Sequence, residues 1–148
     1  MNTKSLITFL ERDLNKLITE IELYKNEANI WRLEKNISNS AGNLTLHLIG
    51  NLHTFIGKEI GQTNYIRNRE LEFSQKNVPR QTLINRINET IEMVNKSLIS
   101  VTDKELNEDY PVLKFSKVES TEYLLIHLTI HLTYHLGQIN YHRRLLDK

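Results

Sequence analysis

The sequence predicts an all-α protein: a four-helix bundle built as a single domain over residues 1–148. Three observations lead there. Only five glycines and two prolines interrupt 148 residues, which suits long helices. Four segments repeat apolar residues at the 3.6-residue period that gives a helix one buried face. Long connections separate some of these segments, which suits a bundle with crossovers better than a series of tight hairpins.

The first helix is predicted over Ser5 to Glu27, with Leu6, Leu10, Leu14, Leu17 and Ile21 on its apolar stripe. Asn26 to Asn39 reads as a connection that tucks Trp31 against the bundle. Ser38-Asn39-Ser40 is a helix-start cluster. The second helix follows over Ala41 to Ile60, with Leu44, His47, Leu48, Asn51, Leu52 and Phe55 on one side. Gly57 and Gly61 loosen and end it. Thr63 to Pro79 shows no period and reads as a long connection. Pro79-Arg80 opens the third helix, because proline is tolerated in a first turn. Leu83, Ile84, Ile87, Ile91, Val94 and Leu98 supply its buried face. Thr102-Asp103-Lys104-Glu105 has capping-box spacing and predicts one short turn, and Ser116-Lys117-Val118-Glu119 has the same spacing. The last helix is predicted over Glu119 to Lys148, apolar around most of its circumference. Such a helix is central or shared with a second subunit, and a homodimer is the expectation.

Net charge is +1 with both signs interspersed, unlike the clustered Lys and Arg of a nucleic-acid binder. The chain has no cysteine, hence no disulfide and no thiol of its own. Met1 to Leu14 lacks the pattern of a signal peptide, and a cytoplasmic protein is the expectation. The last helix is long enough to span a bilayer, but four histidines, three tyrosines, two threonines, Gln138 and Asn140 between Glu122 and Arg143 argue against a membrane span.

His127, His131 and His135 recur every four residues, so they stack along one side of one helix. Imidazole is a common ligand for zinc, nickel, copper and iron. Two histidines one turn apart can reach one ion at about 2.0–2.1 Å. His47, on the core-facing stripe of the second helix, is a third ligand candidate. Spacing alone leaves open which of His127, His131, His135 and His142 take part. Asn51 and Gln138 are candidates to support the ligands, with a buried structural amide as the alternative. His53 lies about 120° around its helix from His47 and reads as a core residue with one hydrogen bond. Tyr134 and Tyr141 read as packing or dimer contacts.

His131-x-x-x-His135-x-Gly137-Gln138 resembles the C-terminal end of the DinB-like, damage-inducible four-helix-bundle proteins. Gly42-Asn43-Leu44-Thr45-Leu46-His47-Leu48-Ile49-Gly50-Asn51-Leu52 resembles that family's second-helix histidine segment. The resemblance covers nearly the whole chain in helix order and includes a branch of small bacterial proteins. It implies an up-down-down-up dimeric bundle and a divalent metal, often zinc or nickel, held by His47, His131 and His135. Some family members transfer bacillithiol or a related low-molecular-weight thiol onto electrophiles. Leu136 stands where many members carry arginine, which points to a different partner thiol here. The expected function is a metal-dependent thiol S-transferase acting on a small-molecule thiol and an electrophile. The alternatives are a non-enzymatic metal- or ligand-binding dimer, and a metal-dependent hydrolase using the same site.

Overall fold

The computed structural model describes residues 2–148, and among them there is no β-strand. Six α-helices follow in order: α1 (Thr3–Leu23), α2 (Ala41–Leu52), α3 (Arg69–Ser74), α4 (Arg80–Leu98), α5 (Asp103–Asn107) and α6 (Thr121–Leu146). The fold class is all-α, as the composition and periodicity predict. The long helices α1, α2, α4 and α6 form the bundle. Leu6, Leu10, Leu14 and Leu17 of α1, Leu48 and Leu52 of α2, Leu83 and Ile87 of α4, and Leu125, Leu128 and Leu132 of α6 are all buried in one core.

Contacts between side chains fix the helix directions. Thr3 donates to the Val101 carbonyl at 3.0 Å and Arg80 to the Tyr24 carbonyl at 2.7 Å, so α1 and α4 are antiparallel. Thr133 meets Asp13 and Asn140 meets Glu20, so α1 and α6 are parallel. His53 meets Thr90, and Gly57 approaches Met93, so α2 and α4 are parallel. The chain therefore runs up, down, down, up. Two consecutive parallel helices cannot be joined by a tight turn. The connection from α2 to α4 must climb back along the bundle, and α4 alone is about 28 Å long at 1.5 Å per residue. In doing so it passes the level of His47.

The element ends show where local chemistry differs from the expected boundaries. Asn2 caps α1, accepting from the Ser5 N–H, and the helix stops at Leu23 instead of Glu27. A 3-10 turn, Glu27–Trp31, then places Trp31 against Gly42 of α2, where a Cβ would lie 2.6 Å from the indole ring. Ser40 caps α2. After Leu52 the helix continues as a π-helix, His53–Lys58, in place of the regular helix expected there. The expected loop 63–79 contains α3, capped by Asn68. Pro79 is the N-cap of α4. The Thr102–Glu105 capping box forms and starts α5. The second box, Ser116 to Glu119, does not form. A bridge between Asp109 and Ser120 holds that segment extended, with Tyr110 N–H on the Glu119 carbonyl and Thr121 N–H on the Glu108 carbonyl. Ser120 caps α6 instead. The last helix leaves part of its apolar circumference exposed, with Tyr123, Ile130, Tyr134 and Tyr141 beside Thr133, Gly137 and Gln138. No helix among the described residues is long and apolar enough to cross a membrane.

Candidate metal centre

His47 sits in the middle of α2, every residue of which is buried between its neighbours. His131 and His135 stand one turn apart on α6, which packs antiparallel to it. Their Nε2 atoms converge: His131 Nε2 lies 3.3 Å from His47 Nε2 and 3.1 Å from His135 Nε2. The three ligand atoms lie within 4.8 Å of one another. Two nitrogens bound to one tetrahedral ion at 2.0–2.1 Å stand about 3.3 Å apart, so the observed separations match a shared cation.

The hydrogen bonds on the far side of each ring decide which nitrogens carry protons. His47 Nδ1 lies 3.1 Å from Glu72 Oε1. A carboxylate only accepts, so Nδ1 carries the hydrogen and Nε2 is a bare lone pair; Arg67 Nη2, 3.4 Å from the same Nδ1, is further off and donates to Glu72 at 2.9 Å instead. His135 Nδ1 lies 2.6 Å from Gln138 Oε1, and the same reasoning leaves its Nε2 bare. His131 Nδ1 is buried with no hydrogen-bond partner among the described residues. One hydrogen on His131 cannot satisfy two lone pairs facing it. A cation at the point of convergence accepts all three Nε2 lone pairs at once, and His131 Nδ1, on the far side of its ring, then carries the hydrogen.

Charge agrees with this. Burial, followed by His135 and His47, pushes the His131 pKa down to about 3. Burial also lowers that of His135, against the hydrogen bond to Gln138. Both rings are thus held in the neutral form that binds metal. Burial alone would raise the Glu72 carboxyl, but hydrogen bonds from His47 and Arg67 hold it below its usual range. Arg67 grips it with Nε at 2.8 Å and Nη2 at 2.9 Å. The Glu72 backbone carbonyl is held in turn by Asn43 of α2 at 2.9 Å. Gly50 faces the same carboxylate, and a Cβ there would lie 2.6 Å from Glu72 Cδ and overlap Oε2.

The other histidines go elsewhere. His127 stacks 6.2 Å from the His131 ring and stands edge-on to Phe115 at 4.9 Å, outside the converging group. His142 donates from Nε2 to the Arg32 carbonyl at 2.8 Å and accepts from the Tyr24 hydroxyl at 2.7 Å, tying α6 to α1 and the 3-10 turn. His53 makes the one hydrogen bond expected, to Thr90 at 3.1 Å, but it is half-buried on a cavity wall and not in the core. Gln138 supports a ligand. Asn51 is buried one turn beyond His47, and its Oδ1 has no partner among the described residues, so no hydrogen bond joins it to a ligand ring. Tyr134 and Tyr141 are exposed and line a cavity of about 500 Å³ together with His135, Gln138 and Leu44. Glu72 and Arg67 are the residues sequence reasoning missed, because they lie where the chain shows no period. The one local signal is Asn68, three residues before Leu71, in N-cap position.

A family model described as "Protein of unknown function (DUF1572)" matches residues 6–148. No curated protein matches the chain.

Proposed function

We propose that this chain, which belongs to the DUF1572 family, is a divalent-metal protein of the DinB-like kind and acts as a metal-dependent thiol S-transferase. In this reading His47, His131 and His135 hold zinc or nickel, and the nucleophile is an external low-molecular-weight thiol. One observation carries it: three imidazole nitrogens, two of them fixed as lone pairs, point at one place.

Held by these three neutral imidazoles, a divalent ion would keep its positive charge and would supply the acidification of a thiol or water. The chain's own residues orient and insulate. Glu72 holds the His47 ring through Nδ1–H, and Arg67 holds Glu72. Gln138 holds His135. Phe73, 5.0 Å from the His47 ring, shields one side from water. The chain has no cysteine to serve as nucleophile, which agrees with a thiol brought from outside. In the net reaction the thiol sulfur forms a bond to an electrophilic carbon, the thiol proton passes to solvent, and any leaving group departs with its electron pair. The exposed Tyr123, Ile130, Tyr134 and Tyr141 of α6 support a homodimer built on that helix, and a cytoplasmic location suits the thiol chemistry.

Metal analysis of protein purified without a histidine tag is the first test. About one ion per chain, lost in a His131→Ala, His135→Ala double variant, is expected. Equal metal content in the two proteins would sink the site. The second test incubates metal-loaded protein with a panel of thiols and a chromogenic electrophile. Faster thioether formation than with free metal is expected. No acceleration across the panel would leave a metal-binding bundle without the transferase activity.

A further inference from the structure

The cavity that Tyr134 and Tyr141 line has no role in the reading above. It measures about 500 Å³ and lies between the loop before α2 and the C-terminal half of α6, a size that admits a small ring compound. His135 and Gln138 form part of its wall, so one of the three converging rings, and the amide that orients it, border this space. Ile37, Leu44 and Leu145 give it apolar surface.

Among the described residues that line it there is no Asp, Glu, Lys or Arg, in a chain that is 25% charged. Cavities elsewhere on the molecule differ. Arg86 and Glu89 line the one beside His53, and Arg12, Lys16 and Glu20 line one between α1 and α6. The two histidines of the neutral wall carry no charge in their hydrogen bonds either. His142 accepts from Tyr24 and donates to the Arg32 carbonyl, and His135 donates to Gln138. Polar groups without protein partners remain. The side chains of Asn36, Ser38 and Asn39 line the cavity and make no hydrogen bond among the described residues. Gln138 spends its oxygen on His135, which leaves its two amide N–H donors for a ligand. A wall of neutral donors and apolar surface suits a carbonyl compound and offers an anion no counter-charge.

We propose that this cavity seats the electrophile, and that the electrophile is an uncharged α,β-unsaturated ketone carried on an apolar ring. That the occupant is the electrophile rests on the function proposed above; that it is an uncharged carbonyl compound rests only on the wall. In the reaction the thiol sulfur forms a bond to the β-carbon and the π pair of the C=C bond moves to the α-carbon. The α-carbon takes a proton from solvent, replacing the one the thiol released, and no group departs. Negative charge builds on the ketone oxygen on the way, where amide N–H donors stabilise it.

Benzylideneacetone and cinnamate have nearly the same shape, but the methyl ketone of one replaces the carboxylate of the other. Each is titrated into the full-length, metal-free protein without thiol, followed by backbone amide chemical shifts, so that neither an ion nor a reaction contributes. Benzylideneacetone is expected to bind at least about tenfold more tightly, because a carboxylate entering the cavity loses water and gains no cation. Ser38 is exposed, so charges can be placed there without disturbing the core. Ser38→Lys should narrow the preference about threefold, and Ser38→Asp should widen it about as much. Cinnamate binding as tightly as benzylideneacetone, no saturation by either ligand, or a preference unmoved by both substitutions would overturn the seat. Selective binding in a protein that, once loaded with zinc, does not accelerate thiol addition to benzylideneacetone would uphold the selectivity of the cavity and remove the transferase.

Discussion

Replacing Glu72 asks most directly whether the imidazoles are arranged for an ion. The carboxylate is 6% exposed and accepts three hydrogen bonds, from His47 Nδ1 at 3.1 Å and from Arg67 at 2.8 and 2.9 Å. It touches none of the three converging nitrogens. Its effect on metal binding therefore passes through the His47 ring and through its charge, not through a bond to the ion. Removing a partner that orients a metal-bound histidine costs about 10–100-fold in affinity. Glu72→Ala deletes both the acceptor that fixes the proton on Nδ1 and a buried negative charge near the cation, so about 100-fold, or about 2.7 kcal/mol, is expected. Glu72→Gln keeps an acceptor for His47 but turns an amide N–H towards the Arg67 donors, so about tenfold is expected. Zinc affinity is read by competition with a chromogenic chelator at neutral pH, with circular dichroism to show that both variants are folded. Folded variants that bind zinc within about twofold of wild type would refute the tautomer argument on which the site rests.

Three further outcomes follow from the same geometry. Gly50→Ala forces the Glu72 carboxylate away from His47, and zinc affinity should fall about tenfold as in Glu72→Gln; unchanged affinity in the chelator assay would mean that Glu72 does not stand there. His142→Phe strips partners from the Tyr24 hydroxyl and the Arg32 carbonyl, so urea denaturation should show a loss of about 1–3 kcal/mol while metal content stays the same; lost metal would reassign His142 to the site. The His131 pKa is lowered from 6.5 to about 3, so between those values the unfolded chain binds a proton that the folded chain refuses, and stability of the metal-free protein should fall as pH drops through that window. The Glu72 pKa is lowered too; its contribution is complete above the ordinary carboxyl range and is lost as pH falls through its depressed value. Urea midpoints measured across this range should vary less steeply in His131→Gln, and an equal slope would exclude His131 as the source.

What the sequence made legible depended on repetition. The long helices repeat their apolar positions over many turns, Ser40 caps where a polar side chain precedes such a run, and Thr102 starts a short helix at a capping-box spacing. A helix as short as α3 has too few turns to show a period, and it inverts the usual pattern. Its leucine, Leu71, is exposed and its glutamate, Glu72, is buried. The charged residue faces inward because α2 offers it a histidine 25 residues away, joined by an arginine five residues before it. The Ser116 box gives way to a cap at Ser120, because the Asp109–Ser120 bridge, a contact across eleven residues, holds the chain extended up to that point. The π-helical turns after Leu52 have no counterpart in the pattern of side chains. Among the histidines, equal spacing could not rank His127, His131 and His135. The ranking comes from what faces each ring: Phe115 for His127, and His47 for the other two.

The long return from α2 to α4 is moored most firmly where Arg67 and Glu72 lie along α2 and Asn43 grips the Glu72 carbonyl, with Tyr65 on His53 before it and Val78 in the core after it. Between these anchors, at Ile66 and at Asn77, the rope runs over the outside of the bundle. Slack added there, as extra residues, alters the length of a tether and not the position of its knot, because loop length itself carries only a slowly growing entropic penalty. New surface can therefore be spliced beside this centre, to shape an entrance or recruit a companion, without retuning the imidazoles beneath.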